Sequence, residues 1–175
     1  AGIGKSRLIS ELKARDWMGK AVVLEGRAQS MGRNLSFHPI IQVIKSWSGI
    51  KEDDNPAVSY QKLSANIIRI YPEQASEIIP FVATMMGFPL EGEAKQRVKG
   101  IEGEALEKLI FKNVRELLIR AAELGPLVIL IEDLHWAAES TLQMLHYLAR
   151  NLIGHPIMLI GTVRSEEVVS GLWLV

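Results

Sequence analysis

Along residues 104–123 apolar side chains return every third or fourth position: Leu106, Leu109, Ile110, Val114, Leu117, Leu118 and Ala121, with charges between them. That rhythm predicts an amphipathic helix. Gly125-Pro126 stops it, and Leu127-Val128-Ile129-Leu130-Ile131 follows as an uninterrupted apolar run. Five such residues between a turn and an acidic pair predict a strand buried on both faces, as in a parallel sheet. A second helix comes next, with Ser140 and Gln143 spaced for a capping box and Leu142, Leu145 and Leu148 turned inward. Another apolar strand, Ile157 to Val163, closes the alternation.

The amino-terminal half repeats the theme less clearly. Ser6 to about Asp16 reads as a helix with Leu8, Ile9 and Leu12 on one side. Ala21 to Glu25 reads as a strand ending at Gly26, and Arg27 to Ser36 as a polar surface loop. Pro39 then starts a helix through Trp47. Lys51 to Pro56 is a charged linker, and two helical segments between Ala57 and Met86 are expected to break near Pro72 and Pro80. Gly87 to Gly103 shows little period and reads as irregular. Strand–helix alternation of this kind implies an α/β layered fold with right-handed crossovers.

A chain of 175 residues with 48% hydrophobic and 23% charged side chains has the size and composition of one globular domain. Twenty basic residues balance 20 acidic ones, which removes the electrostatic case for a dedicated nucleic-acid or membrane-surface binder. Cysteine is absent, so disulfides and thiolate metal sites are excluded. No apolar run approaches the ~18–20 residues needed to span a bilayer. A cytoplasmic location is expected.

Chemistry enters at the first residues. Ala1-Gly2-Ile3-Gly4-Lys5-Ser6-Arg7 carries the last three fixed places of the phosphate-loop pattern G-x-x-x-x-G-K-[ST] in Gly4, Lys5 and Ser6. The pattern's first glycine would precede Ala1, so the chain reads as a fragment cut inside its own site. Glycine lets a backbone turn approach a triphosphate closely, and the amides of the following helix start surround the charge. Lys5 would reach the β- and γ-phosphates, and the Ser6 hydroxyl would bind Mg²⁺. A Gly-Lys-[Ser/Thr] triplet alone arises by chance in about one chain in ten of this length, and a polar helix start is the competing reading.

Glu132 and Asp133 supply independent support. Carboxylates directly after a buried apolar strand can hold Mg²⁺ and orient an attacking water, whereas burying them unpaired would be costly. Ordinary acidic loop residues at a solvated strand end are the competing explanation. Arg164, just past the last strand, is positioned to contact a γ-phosphate or simply to be solvated. His135 and Trp136 read as packing groups, and His38 and His155 as turn residues.

Gly-Ile-Gly-Lys-Ser-Arg-Leu, Leu-Ile-Glu-Asp-Leu-His-Trp-Ala and Leu-Ile-Gly-Thr-Val-Arg, in that order, resemble motifs of signalling AAA-type ATPases. These are the STAND nucleotide switches joined to bacterial adenylate or guanylate cyclases, protein kinases and transcriptional regulators. Gly26-Arg27-Ala28 and Phe37-His38-Pro39-Ile40 resemble that family's second strand and following loop. The resemblance implies a three-layer P-loop NTPase fold with a mostly parallel sheet, truncated at both ends. Residues 1–175 would be a partial ATPase domain lacking its first strand and its C-terminal strand and lid, with a helical insertion over 57–103.

It further implies a cradle for ATP from Gly2, Ile3, Gly4, Lys5, Ser6 and Arg7. Ser6 and Glu132 would bind Mg²⁺, Asp133 would orient water, and Arg164 would serve as sensor. Glutamate stands where aspartate is usual, so the roles of Glu132 and Asp133 could exchange, with Asp133 the metal ligand. Ala138 stands where a further aspartate is common. Partners implied are ATP and ADP and a fused effector, with no direct nucleic acid or membrane contact. The leading expectation is a slow, Mg²⁺-dependent ATPase switch; the alternative is a regulatory or interaction module that does not hydrolyse nucleotide. A missing central strand would leave the fragment folding or binding nucleotide poorly.

Overall fold

The computed structural model describes residues 4–15, 20–30 and 35–164. Its sheet has three parallel strands in the order β1-β2-β3: β1 (Val22–Arg27), β2 (Leu127–Glu132) and β3 (Ile157–Gly161). Register runs Leu24 to Ile129 to Leu159, and Arg27 ends level with Glu132. β2 is central and buried from Leu127 to Ile131, as its unbroken apolar run requires.

Helices lie on both faces. Alternation along the strands turns Leu24, Leu127, Ile129 and Ile131 into one core with residues of α2 (His38–Ser48), α4 (Ala75–Met85), α6 (Gly103–Glu123) and α7 (Glu139–Asn151). Glu25 therefore faces the other way, where its carboxylate meets Lys13 of α1 (Lys5–Lys13) at 2.6 Å. Val128 and Leu130 share that second face and are also buried. This is the three-layer α/β arrangement of a P-loop NTPase fold.

Between α2 and α6 stand α3 (Pro56–Ile70), α4 and α5 (Gly92–Val98). Asn55 caps α3 by accepting from the Val58 N–H at 2.9 Å. Tyr71 ends it, and a 3-10 turn at Pro72–Gln74 leads into α4, so the expected break near Pro72 is present. The one expected at Pro80 is not: Pro80 lies inside α4, buried in the core. Proline removes one intrahelical donor, and apolar packing on the surrounding turns (Ile78, Ile79, Phe81 and Val82 are all buried) keeps the helix continuous.

Four further expectations are corrected. Residues 92–98, read as irregular, form α5; none of its residues is buried, so there was no apolar period to detect. Gly26 does not end β1 but lies within it, for a packing reason given below. Ser140 and Gln143 do not make a capping box: α7 starts at Glu139 with Ala138 as its N-cap and no side-chain cap, and the Gln143 amide donates to Glu139 instead. Similarly, β3 stops at Gly161, before Val163. The end expected for the first helix near Asp16 lies outside the described residues.

Candidate functional site

All three strands run parallel, so their carboxyl ends form one edge, the place where open α/β sheets collect ligands. Glu132 closes β2 there, and alternation sends its side chain to the α1 face, with Val128 and Leu130. Asp133 follows in the left-handed conformation, φ 57° and ψ 42°, which costs a non-glycine residue on the order of 1 kcal/mol.

Thr162 holds the turn. Its hydroxyl accepts from the Asp133 N–H at 3.1 Å, and its carbonyl accepts from the Leu134 N–H at 2.8 Å. Its own N–H donates to the Ile131 carbonyl at 2.9 Å. Leu134 then tucks over β3: a Cβ on Gly161 would meet the Leu134 Cδ1 at 2.5 Å. Thus Gly161-Thr162 explains why the Leu-His-Trp segment folds as it does, as a 3-10 turn at Leu134–Trp136 with the His135 and Trp136 rings 5.1 Å apart.

The Asp133 carboxylate is only 16% exposed, and Arg27, at the end of β1, pairs with it. Arg27 Nε and Nη2 reach Asp133 Oδ2 at 2.9 and 2.8 Å. Beneath Arg27, α2 lies on β1 at Gly26, and Gln42 Oε1 accepts from the Arg27 N–H at 2.6 Å. At the other end of this edge Arg164 follows β3 and is exposed.

Gly4 is the N-cap of α1, φ 80° and ψ 11°, a conformation that favours glycine. Among the described residues the first turn of α1 has neither a side-chain cap nor an acidic residue. Its orphan amides are what an anion needs. Arg7 points away from that role in part, pairing with Glu11 on the exposed side of α1 at 2.9 Å. Lys5 and Ser6 are its first two helical residues; of them the structure describes the backbone alone. Gly2 and Ile3 lie outside the described residues.

Of the residues expected from sequence, then, Glu132, Asp133 and Arg164 share the carboxyl edge of the sheet. Arg27, Thr162 and Gln42 were not anticipated as site residues. Arg27 and Thr162 had one signal, their position in the Gly26-Arg27-Ala28 and Gly-Thr-Val-Arg motifs, and Gln42 had none. Among the described residues no group of three or more His, Cys, Asp or Glu is placed to form an all-protein metal cage. Two adjacent carboxylates at a strand end do fit Mg²⁺, which keeps several waters and shares its ligands with substrate phosphates. No helix of the described residues is long and apolar enough to cross a membrane.

The profile of a family described as the AAA ATPase domain matches residues 1–160. An uncharacterized protein of Rhizobium meliloti (strain 1021) is 24% identical over 175 aligned residues, covering 95% of this chain and 16% of the relative. The chain thus spans about a sixth of the length of that curated relative. No solved structure matches.

Proposed function

This chain belongs to the AAA ATPase domain family, a group of P-loop nucleotide-binding modules whose members generally hydrolyse ATP, and on that premise we propose that it is the ATP-driven switch of a larger signalling protein. The switch binds ATP with Mg²⁺, hydrolyses it slowly, and changes the state of an attached effector, a cyclase, a kinase or a DNA-binding regulator. Its motif order supports membership of the STAND group. Residues 57–103 act as a helical insertion within the ATPase domain, and the whole works in the cytoplasm.

Each residue has a task in this scheme. Gly2 to Arg7 wrap the phosphates with backbone amides, and Lys5 neutralises the β- and γ-phosphates. Ser6 and Glu132 hold the cation, which when bound neutralises charge on the transferring phosphoryl group. Asp133 orients the attacking water, and Arg164 senses the γ-phosphate.

The single observation that carries the proposal is the acidic pair at the end of a buried parallel strand, with its two carboxylates in different surroundings. Glu132 lies toward the helix that begins at Gly4-Lys5-Ser6, whereas Asp133 is held by Arg27. Unlike surroundings suit unlike roles, metal ligand and water-orienting base.

Single-turnover hydrolysis by the full-length protein tests this. Asp133→Asn is expected to retain ATP binding and lose phosphate release, while Lys5→Ala is expected to weaken ATP binding itself. ATP bound normally by wild type with no phosphate released would favour a regulatory module without turnover. Calorimetry showing no nucleotide binding by wild type would leave an interaction scaffold as the explanation.

A further inference from the structure

Between α2 and α6, the helices α3, α4 and α5 line an open cavity of about 930 Å³, within the roughly 300–1,000 Å³ usual for small-molecule sites. Ile79 and Pro80 of α4 give it a buried apolar floor, and the half-buried Tyr60 ring of α3 stands beside them. Phe88 fixes that ring in an edge-to-face contact, with centroids 6.0 Å apart. α5 supplies the remaining wall, with Glu93, Ala94 and Arg97.

Among the described residues the lining offers acceptors and no free cation. Arg97 is already engaged by Glu77: its Nε donates to Oε2 at 3.1 Å, and its Nη2 pairs with Oε1. Glu93, one turn earlier on α5, has no ion-pair partner among the described residues. Its carboxylate is therefore the uncompensated charge of the cavity. Pro80 adds a second acceptor, because it carries no N–H and the Ser76 carbonyl one turn before it loses its intrahelical donor. Ser76 and Pro80 both line the cavity, which puts that carbonyl at its wall. The face of the Tyr60 ring is a third attraction for positive charge.

We propose that this cavity binds a small organic cation, a primary ammonium carried on an apolar or aromatic body. The body displaces water from Ile79, Pro80 and Tyr60, and the ammonium donates to the Glu93 carboxylate and the Ser76 carbonyl. An anion is poorly served, because the guanidinium that would receive it already holds Glu77. None of these residues has a task in the nucleotide scheme, so the two readings stand or fall separately.

Calorimetry on the full-length protein without nucleotide tests this with three probes of similar shape: tryptamine, tryptophol and indole-3-propionate. Tryptamine is expected to bind, with the alcohol and the acid at least about 10-fold weaker, the effect of losing a hydrogen bond between charged groups. Glu93→Gln is expected to weaken tryptamine about 10-fold and to leave tryptophol unchanged. That side chain is exposed, so the thermal midpoint is expected to stay near wild type. Ala94→Trp, which fills the cavity from α5, is expected to abolish tryptamine binding; should that variant not fold, Glu93→Gln alone decides. Absent tryptamine binding, equal affinity for the three probes, full affinity in Glu93→Gln, or binding retained by folded Ala94→Trp overturns the proposal. Preference for indole-3-propionate overturns it too, by assigning the cavity to an acid that takes Arg97 from Glu77.

Discussion

The Cβ that Gly26 lacks would stand 2.1 Å from the carbonyl oxygen of Pro39 and 2.8 Å from its carbonyl carbon. Helix α2 therefore lies on strand β1 at a distance no side chain permits, and both contact atoms are backbone, which cannot swing aside. This approach places Gln42 over the Arg27 N–H and brings α2 to the edge of the site.

Gly26→Ala is accordingly expected to destabilise the fold by about 1–3 kcal/mol, the usual cost of overpacking. For a chain of 175 residues each kcal/mol lowers the midpoint by about 2–4 °C. Gly125→Ala is the control, because nothing lies within 4 Å of a Cβ there. Thermal melts of the two variants decide it, and equal midpoints would contradict the packing argument.

Thr141 supports a second contact of the same helix. Phe37 precedes α2 at φ 60°, and its N–H donates to the Thr141 Oγ1 of α7 at 3.0 Å in a buried position. Thr141→Val keeps the shape and removes the acceptor, leaving an amide unsatisfied, at a cost of about 1–3 kcal/mol. Thr141→Ser is expected to recover most of it. Denaturant midpoints for the pair measure the difference; a Val variant as stable as the Ser variant would show the bond to be dispensable.

The parts of this structure legible from sequence are those where burial imposes a period. α6 and β2 each answer to a single environment, so their apolar spacing locates them almost to the residue. α5 has no fully buried residue and left no such trace. Pro80 and Gly26 misled for one reason: each looked like local punctuation, but tertiary packing set its role, with a core around Pro80 and a backbone against Gly26. The acidic doublet was legible because carboxylates after an apolar strand need explaining. Arg27 and Thr162 were not, because their contacts to Asp133 cross sheet strands and depend on a register that no local pattern encodes.

Asp54 gives a pH dependence away from the site. The Lys62 ammonium, hydrogen-bonded to its carboxylate at 2.5 Å, holds its pKa below the ordinary aspartate value, and the Lys51 N–H adds to this. A carboxylate with a depressed folded-state pKa stabilises fully above its unfolded value, and that contribution disappears as pH falls through the folded one. Asp54→Asn is therefore expected to melt below wild type near neutrality, with the gap closing in acid below the usual aspartate range. A gap that persists unchanged at low pH would assign the effect to packing, not charge.

Glu132 and Asp133 can be separated by their response to the metal. Glu132 lies toward α1, and Asp133 is turned toward Arg27, so the proposed cation ligand is Glu132. Removing a metal ligand weakens cation affinity, a loss that excess metal offsets; removing the group that orients water is not offset by mass action. Glu132→Gln is thus expected to shift the Mg²⁺ dependence of ATP hydrolysis to higher concentration and to regain rate as Mg²⁺ is raised. Asp133→Asn is expected to remain slow throughout the titration. The opposite pattern, with Mg²⁺ rescuing Asp133→Asn alone, would exchange the two roles and make Arg27 a neighbour of the metal ligand.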